Sequence, residues 1–418
     1  MAHEAELDKL TETEREIALE VDRRVEEAIG FLERVVNINS GTMNHEGVRL
    51  TGLAFEAELA PLGFDCRWVP LTELNRSGHL FAELDGGRGK RMLLIGHLDT
   101  VFEKESSFQR FERGEDTASG PGVEDMKGGD VAMLFALKAL HAVGVLRKTR
   151  LIVALIGDEE DSGDPVSVAR ADLIEAARRS QIALGFESAG GDHRCVTVAR
   201  RGFSQWELET TGKRGHSSRI FHPDFGAGAA YEAARILSEF YRELASEPHL
   251  TLGPGIILGG TNVHYDPSLT RGDSFGKTNV IPQTVITAGD LRCMTGEQCL
   301  RAQEKMREIA SRNLPLTTSR LTFRDSYPGM PPRPGNYDLM DQLDRVSRDL
   351  GFGGVRAHDP DERGAGDISF AADIVEACLD GLGPAGWGGH SPQETIDLKS
   401  FPIQIKRAAI LIHRLAGG

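Results

Sequence analysis

Apolar residues recur at helical spacing near the N-terminus and then in short uninterrupted runs. From Thr11 to Asn37 they return every three or four residues, which predicts a long amphipathic helix. Four runs predict buried strands: HLFAEL (79–84), RMLLIGHL (91–98), LIVALIG (151–157) and IALGFE (182–187). A helix is predicted from Met126 to Val143. Uncharged strands that alternate with helices predict an α/β domain whose mixed, largely parallel sheet carries helices on both faces.

The pattern changes near Arg200. FSQWELETTG (203–212) alternates apolar and polar residues, which is typical of a half-exposed antiparallel strand, and we expect this strand to form a sheet edge. A helix (226–244), Gly/Pro-rich loops, an alternating strand (284–292) and a helix (297–313) follow. This order predicts a smaller α+β (ferredoxin-like) domain at 201–327, inserted between two parts of the α/β domain, 1–200 and 328–418.

Composition and charge narrow the class of protein. Apolar residues make up 40% of the 418 residues and charged residues 27%, a balance that excludes an intrinsically disordered chain. No apolar run reaches the roughly 18 residues that a membrane span needs. The net charge of −15 disfavours nucleic acid and anionic membranes as partners. Five scattered cysteines, and an N-terminus without an apolar signal region, indicate a cytoplasmic protein.

Three common catalytic signatures fail on inspection. GFESAG (185–190) has one residue too many between glycine and serine for a nucleophile elbow. GDSFGKT (272–278) lacks the first glycine of a phosphate-binding loop. GPGVED (120–125) has no third glycine and ends in acids, which disfavours a dinucleotide site. Serine hydrolysis and nucleotide chemistry are therefore disfavoured.

Acids and histidines follow the predicted strands or lie in glycine-rich loops. They are His97 and Asp99 (GHLDTV), Asp125 (GPGVEDMKGG), Glu159 and Glu160 (GDEE), Glu187 (FES) and His390 (GGHSPQE). Each alone fits a helix cap, a solvated turn or a structural histidine. Together they lie where open α/β sheets form their sites, and adjacent carboxylates favour a bound cation. Imidazoles and carboxylates without thiolates indicate zinc, with cobalt or manganese as possible substitutes.

These five motifs, in this order, resemble those of a di-zinc exopeptidase and amidohydrolase family. The family includes glutamate carboxypeptidase, aminoacylase, succinyl-diaminopimelate desuccinylase and peptidase T, and the motifs are most similar to those of glutamate carboxypeptidase. In the inserted segment, GKRGHSS (212–218) and KTNVIPQTVITAGDLR (277–292) resemble motifs of the family's dimerisation domain. The resemblance therefore implies an α/β catalytic domain interrupted by a dimerisation domain, and a homodimer.

The resemblance also implies two zinc ions per subunit. Asp125 and a water or hydroxide would bridge the two ions. His97 and Glu187 would complete one site, and Glu160 and His390 would complete the other.

Three further residues acquire catalytic roles from the resemblance. Asp99 would orient the imidazole of His97, which fixes the tautomer of the ligand. Glu159 would be the general base that takes a proton from the attacking water. His216 would reach the active site of the partner subunit and support the oxyanion, although a loop histidine beside serines needs no such role.

Substrate contacts are implied for three other residues. Asn279 and Arg292 match residues of the inserted domain that hold the substrate carboxylate, although a structural salt bridge is an alternative for Arg292. Asp367 lies in GAGDISFAAD (364–373), at the position of a G-G-T-D-A loop common in the family. Here Gly366 replaces the threonine, which affects the expected substrate specificity and not the metal ligands.

The resulting hypothesis is a cytoplasmic, homodimeric, zinc-dependent metallopeptidase of the glutamate-carboxypeptidase type. It would hydrolyse an amide bond next to a free carboxylate in a small peptide. The alternative is an N-acyl-amino-acid amidohydrolase, which would need the same catalytic residues and would act on an N-acyl amino acid. A non-catalytic metal-binding homologue is a third possibility, which retention of Glu159 disfavours, because a scaffold needs no general base.

Overall fold

A computed structural model of the chain describes residues 9–87, 89–267 and 269–417. The chain divides into two compact units. Unit 1 is Met1–Ala199 with Pro332–Gly418, and unit 2 is Arg200–Pro331. The segment predicted as an inserted domain, 201–327, falls within unit 2. Its predicted task in dimerisation stays a prediction.

The helices and strands follow one another along the chain in three blocks. The first part of unit 1 has α1 (Glu12–Val36), α2 (His45–Leu59), β1 (Asp65–Pro70), β2 (Gly78–Asp85), β3 (Arg91–His97), β4 (Glu112–Arg113), β5 (Thr117–Ser119), α3 (Lys127–Ala142), β6 (Arg150–Ile156), α4 (Val166–Ala169), α5 (Ala171–Arg178), β7 (Ile182–Gly185) and β8 (Cys195–Val196). Unit 2 has β9 (Gly202–Gly212), α6 (Ala229–Leu244), β10 (Thr251–Gly260), β11 (Asn262–Asp266), β12 (Arg271–Phe275), β13 (Thr284–Cys293), α7 (Gly296–Ser311) and β14 (Thr317–Tyr327). The second part of unit 1 has α8 (Pro334–Asp349), β15 (Arg356–Ala357), β16 (Ala377–Leu379), β17 (Gly386–Trp387), β18 (Thr395–Asp397) and α9 (Ser400–Leu415).

The central sheet of unit 1 has the strand order β1-β2-β6-β3-β7-β16. Strands β6, β3, β7 and β16 pair in parallel, whereas β1 and β2 pair antiparallel. Successive side chains of a strand point to opposite faces, and Met92, Leu93, Leu94 and Ile95 of β3 are all at most 3% exposed. Both faces of the sheet are therefore covered. The predicted fold class, a mixed and largely parallel α/β sheet, is confirmed.

One of the four predicted buried strands, HLFAEL, forms the central part of β2, which is antiparallel to β6. A buried antiparallel strand needs the same apolar residues on both faces as a buried parallel one, so composition does not distinguish the two directions.

The long N-terminal helix forms as its pattern predicts. A capping box begins α1: the Thr11 hydroxyl accepts from the amide of Glu14, and the Glu14 carboxylate accepts from the amide of Thr11. The apolar stripe of α1 packs against α3 and α9. Of the helices that the structure describes, none is both long enough and apolar enough to cross a membrane.

Unit 2 has a four-stranded sheet with the order β10-β13-β9-β14, and every neighbouring pair is antiparallel. Helices α6 and α7 pack on one face of it. The core on that face includes Trp206 of β9, whose indole meets the ring of Phe240 edge-on at 6.0 Å. The order of elements and strands is that of a ferredoxin-like fold, so this part of the predicted fold class is confirmed.

Two expectations for unit 2 were wrong. FSQWELETTG does not form a sheet edge, because β9 pairs with β13 on one side and β14 on the other. Its alternating pattern reflects one covered face and says nothing about lateral neighbours. The Gly/Pro-rich stretch expected as loops contains β10 and the hairpin of β11 and β12. Pro254 lies at an irregularity of the edge strand β10, where a missing amide donor is tolerated.

Candidate active site

The carboxyl ends of three adjacent parallel strands bring the predicted residues of unit 1 together. His97 is the last residue of β3, Glu159 and Glu160 follow β6, and Glu187 follows β7. Because neighbouring parallel strands end at the same edge of a sheet, their following loops meet there. Asp125 precedes α3, and His390 lies in the loop between β17 and β18.

The first group of possible metal ligands consists of His97, Asp125 and Glu187. His97 is buried, and its Nε2 lies 3.0 Å from Oδ1 of Asp125 and 3.7 Å from Oε1 of Glu187. The three ligand atoms lie within 4.8 Å of one another. One imidazole nitrogen and two carboxylate oxygens at this spacing match the ligands that zinc uses in catalytic sites.

The second group consists of Asp125, Glu160 and His390, and its ligand atoms also lie within 4.8 Å of one another. His390 Nε2 lies 3.2 Å from Oδ2 of Asp125 and 3.1 Å from Oε2 of Glu160. Asp125 therefore belongs to both groups, with Oδ1 turned to one histidine and Oδ2 to the other. A carboxylate placed in this way can bridge two ions.

The charges of the cluster shift the pKa of its members. Burial lowers the pKa of His97, but hydrogen bonds with Asp125 and Asp99 outweigh burial and hold it well above its usual range. Hydrogen bonds with Asp125 and Glu160 raise the pKa of His390 to about 11. Because a histidine must be neutral to bind a metal, ion binding at this cluster has to displace protons, and metal affinity should fall as the pH falls.

Asp99 is fully buried and holds the turn that carries the two glutamates. The amide of Glu159 donates to its Oδ1 at 3.0 Å, and the amide of Glu160 donates to its Oδ2 at 3.1 Å. The hydroxyl of Thr42 donates to Oδ2 as well. Nδ1 of His97 lies 3.1 Å from the backbone oxygen of Asp99 and 3.5 Å from its Oδ1. Asp99 thus contacts both a histidine of the first group and the glutamate turn.

Sequence reasoning missed Glu394, which holds the loop of Asp125. Glu394 is fully buried, and its carboxylate accepts from the backbone amides of Gly122, Glu124 and Asp125 at 2.8–3.2 Å. It ends the motif GGHSPQE, four residues after His390. A glutamate in such a polar segment resembles a solvated turn, so only the folded structure shows its contacts.

Sequence reasoning also missed Glu124. Its Oε1 accepts from the hydroxyl of Ser188, next to Glu187, and its Oε2 accepts from the amide of Gly389, next to His390. One carboxylate therefore ties the loops of both ligand groups together. Glu124 and Asp125 are adjacent acids in GPGVEDMKGG, and no signal in the sequence distinguishes the residue that ties the loops from the predicted metal ligand.

Asp367 lies buried in unit 1, with 4% of its surface exposed. Its Oδ1 accepts a hydrogen bond of 2.6 Å from Nε of Arg170, which is itself fully buried. The structure thus gives Asp367 a cationic partner that sequence reasoning did not supply. A contact between Asp367 and substrate stays a prediction.

The other predicted residues belong to unit 2. His216 is exposed, its backbone pairs with Val280, and Ser217 donates to the backbone oxygen of Asn279 at 2.9 Å. Asn279 therefore lies beside His216. Arg292 lies near the far end of β13, where its Nε donates to Asp290 at 2.9 Å. Eight residue steps separate Thr284 from Arg292, roughly 26 Å of strand, so Arg292 lies far along β13 from the strand end that follows Asn279. Substrate contacts of Asn279 and Arg292 stay predictions.

The match to a family model decides the relationship of this chain. The model of peptidase family M20/M25/M40 matches residues 93–414, most of the chain. The chain belongs to peptidase family M20/M25/M40. The resemblance inferred from the five motifs is thus confirmed, and so is the enzyme class, a metal-dependent peptidase.

Individual relatives agree with the M20 assignment. Carboxypeptidase G2 of Pseudomonas sp. (strain RS-16) is 27% identical over 394 residues, which cover 93% of this chain and 89% of that protein. The crystal structure of aminopeptidase PepT from Bacillus cereus has a TM-score of 0.75 at 16% identity, with 94% of this chain and 99% of that chain covered. The YXEP protein of Bacillus subtilis, described as a dinuclear metal-binding peptidase of the M20 family, has a TM-score of 0.68 at 13% identity, with 95% and 99% covered.

The contacts of Glu394 generate a first prediction. Glu394→Gln keeps the size of the side chain but replaces one acceptor oxygen with an NH₂ group that faces a backbone N–H. The loop of Asp125 should then be held less firmly. Zinc affinity should fall by about 10- to 100-fold, which is the usual effect of losing a hydrogen-bond partner that supports a metal ligand. Competition with a chelator measures this. Gln393→Ala, at the exposed neighbour, is the control, and equal zinc affinity of the two variants would refute the role of Glu394.

Proposed function

We propose that this M20 protein is a zinc-dependent metallopeptidase of the glutamate-carboxypeptidase type, which hydrolyses an amide bond next to a free carboxylate. The observation that carries the proposal is the placement of Asp125, whose two oxygens face two histidines. The relationship to carboxypeptidase G2 over 93% of the chain supports a carboxypeptidase activity.

The two groups that share Asp125 would hold one zinc ion each. His97 and Glu187 complete the first group, and Glu160 and His390 complete the second. When bound, the ions would polarise the scissile carbonyl and lower the pKa of a water molecule. Cobalt or manganese could substitute, because imidazole and carboxylate ligands suit these ions too. The description of the YXEP protein as dinuclear supports a pair of ions.

Glu159 would act as the general base. It belongs to neither ligand group, although its neighbour Glu160 does. Asp99 holds the amides of both residues, which would direct one side chain to an ion and leave the other for proton transfer. Glu159 would take a proton from the attacking water and pass it to the leaving nitrogen.

An N-acyl-amino-acid amidohydrolase is the second candidate. It would use the same ligands and base, because both reactions break an amide bond. The observation that favours it is Gly366, which removes the threonine expected in the loop before Asp367 and changes a segment that the resemblance associates with substrate. Turnover of a panel of small dipeptides and N-acyl amino acids, each with a free carboxylate, separates the two activities.

Unit 2 would form a homodimer and contribute to catalysis. Strands β10 and β14 are the edges of the four-stranded sheet, and Ile257 on β10 is 59% exposed, so β10 offers a sheet edge and apolar surface for a second copy. His216 and Asn279, which lie together, would act in the active site of the partner subunit.

The five cysteines form no disulfide, which supports a cytoplasmic location.

Exchange of each glutamate for glutamine tests the assigned roles. Glu159→Gln should retain the metal content of the wild type and lose about 10²–10⁴-fold in kcat, the usual contribution of acid–base catalysis. Glu160→Gln should instead bind less metal, because an amide is a poorer zinc ligand than a carboxylate. Elemental analysis and steady-state kinetics on the same preparations measure both properties. Reversed behaviour of the two variants would show that the assignment within the pair is wrong.

His216→Ala tests the contribution of unit 2. The variant should lose about 10²–10³-fold in kcat, the cost of one oxyanion donor, with metal content and dimer mass unchanged. His222→Ala, at another exposed histidine of the same loop, is the control.

A mixture of His216→Ala and Glu159→Gln subunits shows in which subunit His216 acts. A heterodimer has one site with an intact base that faces an intact histidine of the other subunit. Activity should therefore recover after subunit exchange. Absence of recovery in demonstrated heterodimers would mean that His216 acts within its own subunit or has no catalytic role.

A further inference from the structure

The turn after β6 has to give two adjacent glutamates different directions, and it lies outside regular secondary structure. On one side the amides of Glu159 and Glu160 donate to Asp99. These two bonds fix the amide groups and leave the residues before and after the pair to be held by other contacts.

Arg170 contacts the residues before and after the pair. Its Nη1 donates to Oδ1 of Asp158 at 2.5 Å, and its Nη2 donates to the backbone oxygen of Asp158 at 3.1 Å. Nη2 also donates to the hydroxyl of Ser162 at 3.2 Å. Arg170 therefore binds the turn at Asp158, immediately before Glu159, and at Ser162, two residues after Glu160.

The surroundings of Arg170 hold its side chain in place. Arg170 is fully buried and lies between the end of α4 and the start of α5. A second buried side chain joins the same two places: the amide of Gly157 donates to Nδ1 of His79 at 3.1 Å, and Nε2 of His79 lies 2.8 Å from the backbone oxygen of Ala169. The α4–α5 junction is thus attached to the glutamate turn by two neighbouring side chains.

Arg170 also reaches the loop of Asp367. Its Nε donates to Asp367 at 2.6 Å, and its guanidinium carbon lies 5.8 Å from the ring centroid of Phe370. One cation therefore joins the turn of the general base to the loop that we associate with substrate. Only a planar fork with several donating nitrogens can make these bonds at once, and a lysine could not.

We propose that Arg170 is a positioning residue for hydrolysis, which aligns Glu159 with the substrate by holding the glutamate turn and the loop of Asp367 in one arrangement. The inference rests on the proposed function of Glu159 as general base. A misplacement of the base by 1 Å can cost about 10²-fold in rate even when every reacting group is present. Loss of the guanidinium group should therefore lower kcat and change KM to a smaller degree.

Arg170→Lys tests the proposal, since it retains the buried positive charge and removes the fork. Arg407→Lys is the matched control: Arg407 is 1% exposed and donates to the backbone of His193 and to the side chains of Gln404 and Ser347, away from the turn. Both variants should lose thermal stability. Only Arg170→Lys should also lose about 10- to 100-fold in kcat at unchanged metal content, with a smaller change in KM.

Asp158→Asn tests the same contact from the other side and decides the question if Arg170→Lys does not fold. It keeps the shape of the side chain and removes the charge that Nη1 of Arg170 contacts. Asp158→Asn should show the same selective loss of kcat, to a smaller degree.

Kinetics equal to those of Arg407→Lys, in whichever variant folds, would overturn the positioning role. The wild type and Glu159→Gln, measured in the same assay, separate this result from failure of the proposed function. If the wild type hydrolyses the substrate and Glu159→Gln does not, a normal kcat of Arg170→Lys refutes only the inference about Arg170. If the wild type hydrolyses no amide of the panel, the proposed function fails first.

Discussion

The two oxygens of Asp125 face two different histidines, and the rest of the site depends on this constraint. Each oxygen also belongs to a group with a further glutamate, so that carboxylates crowd around one shared side chain. Such crowding is unfavourable unless positive charge compensates it. Hydrogen bonds with the carboxylates raise the pKa of both histidines, which favours their charged forms in the metal-free chain, and two cations would supply the charge in the loaded enzyme. The strand ends of the parallel sheet bring the predicted ligands together, and the shared aspartate divides the cluster into two groups of possible metal ligands.

Buried charged groups hold the glutamate turn and the loop of Asp125 through the backbone. Asp99 accepts from the amides of the glutamate turn, and Glu394 accepts from the amides of the loop before Asp125. Arg170 donates to the backbone oxygen of Asp158, immediately before the two glutamates. These groups leave the ligand side chains free to bind an ion while the peptide groups behind them are fixed. Precise ligand geometry therefore depends on residues that need not touch metal or substrate.

The strands, helices and site residues of unit 1 that depend on the local pattern of apolar and charged residues were predictable from the sequence. Buried runs such as RMLLIGHL, and the acids and histidines after them, identified the strands, the family and the residues that the structure brings together in unit 1. Lateral neighbours were not predictable: β9 alternates as an edge strand would, yet it pairs on both sides. Glu394 and Arg170 were missed because a charged residue gives no local signal of burial. The amides that Glu394 accepts from lie 269 to 272 positions away, and Asp367, one partner of Arg170, lies 197 positions away.

Anomalous diffraction from crystals grown with zinc tests the central claim most directly, because it locates ions without any assumption about activity. Data collected on both sides of the zinc absorption edge should show two peaks per chain. Each peak should lie within about 2.0–2.2 Å of one oxygen of Asp125, the usual zinc–carboxylate distance, and beside one of the two histidines. A single peak, or two peaks of which one does not contact Asp125, would contradict a bridged pair of ions.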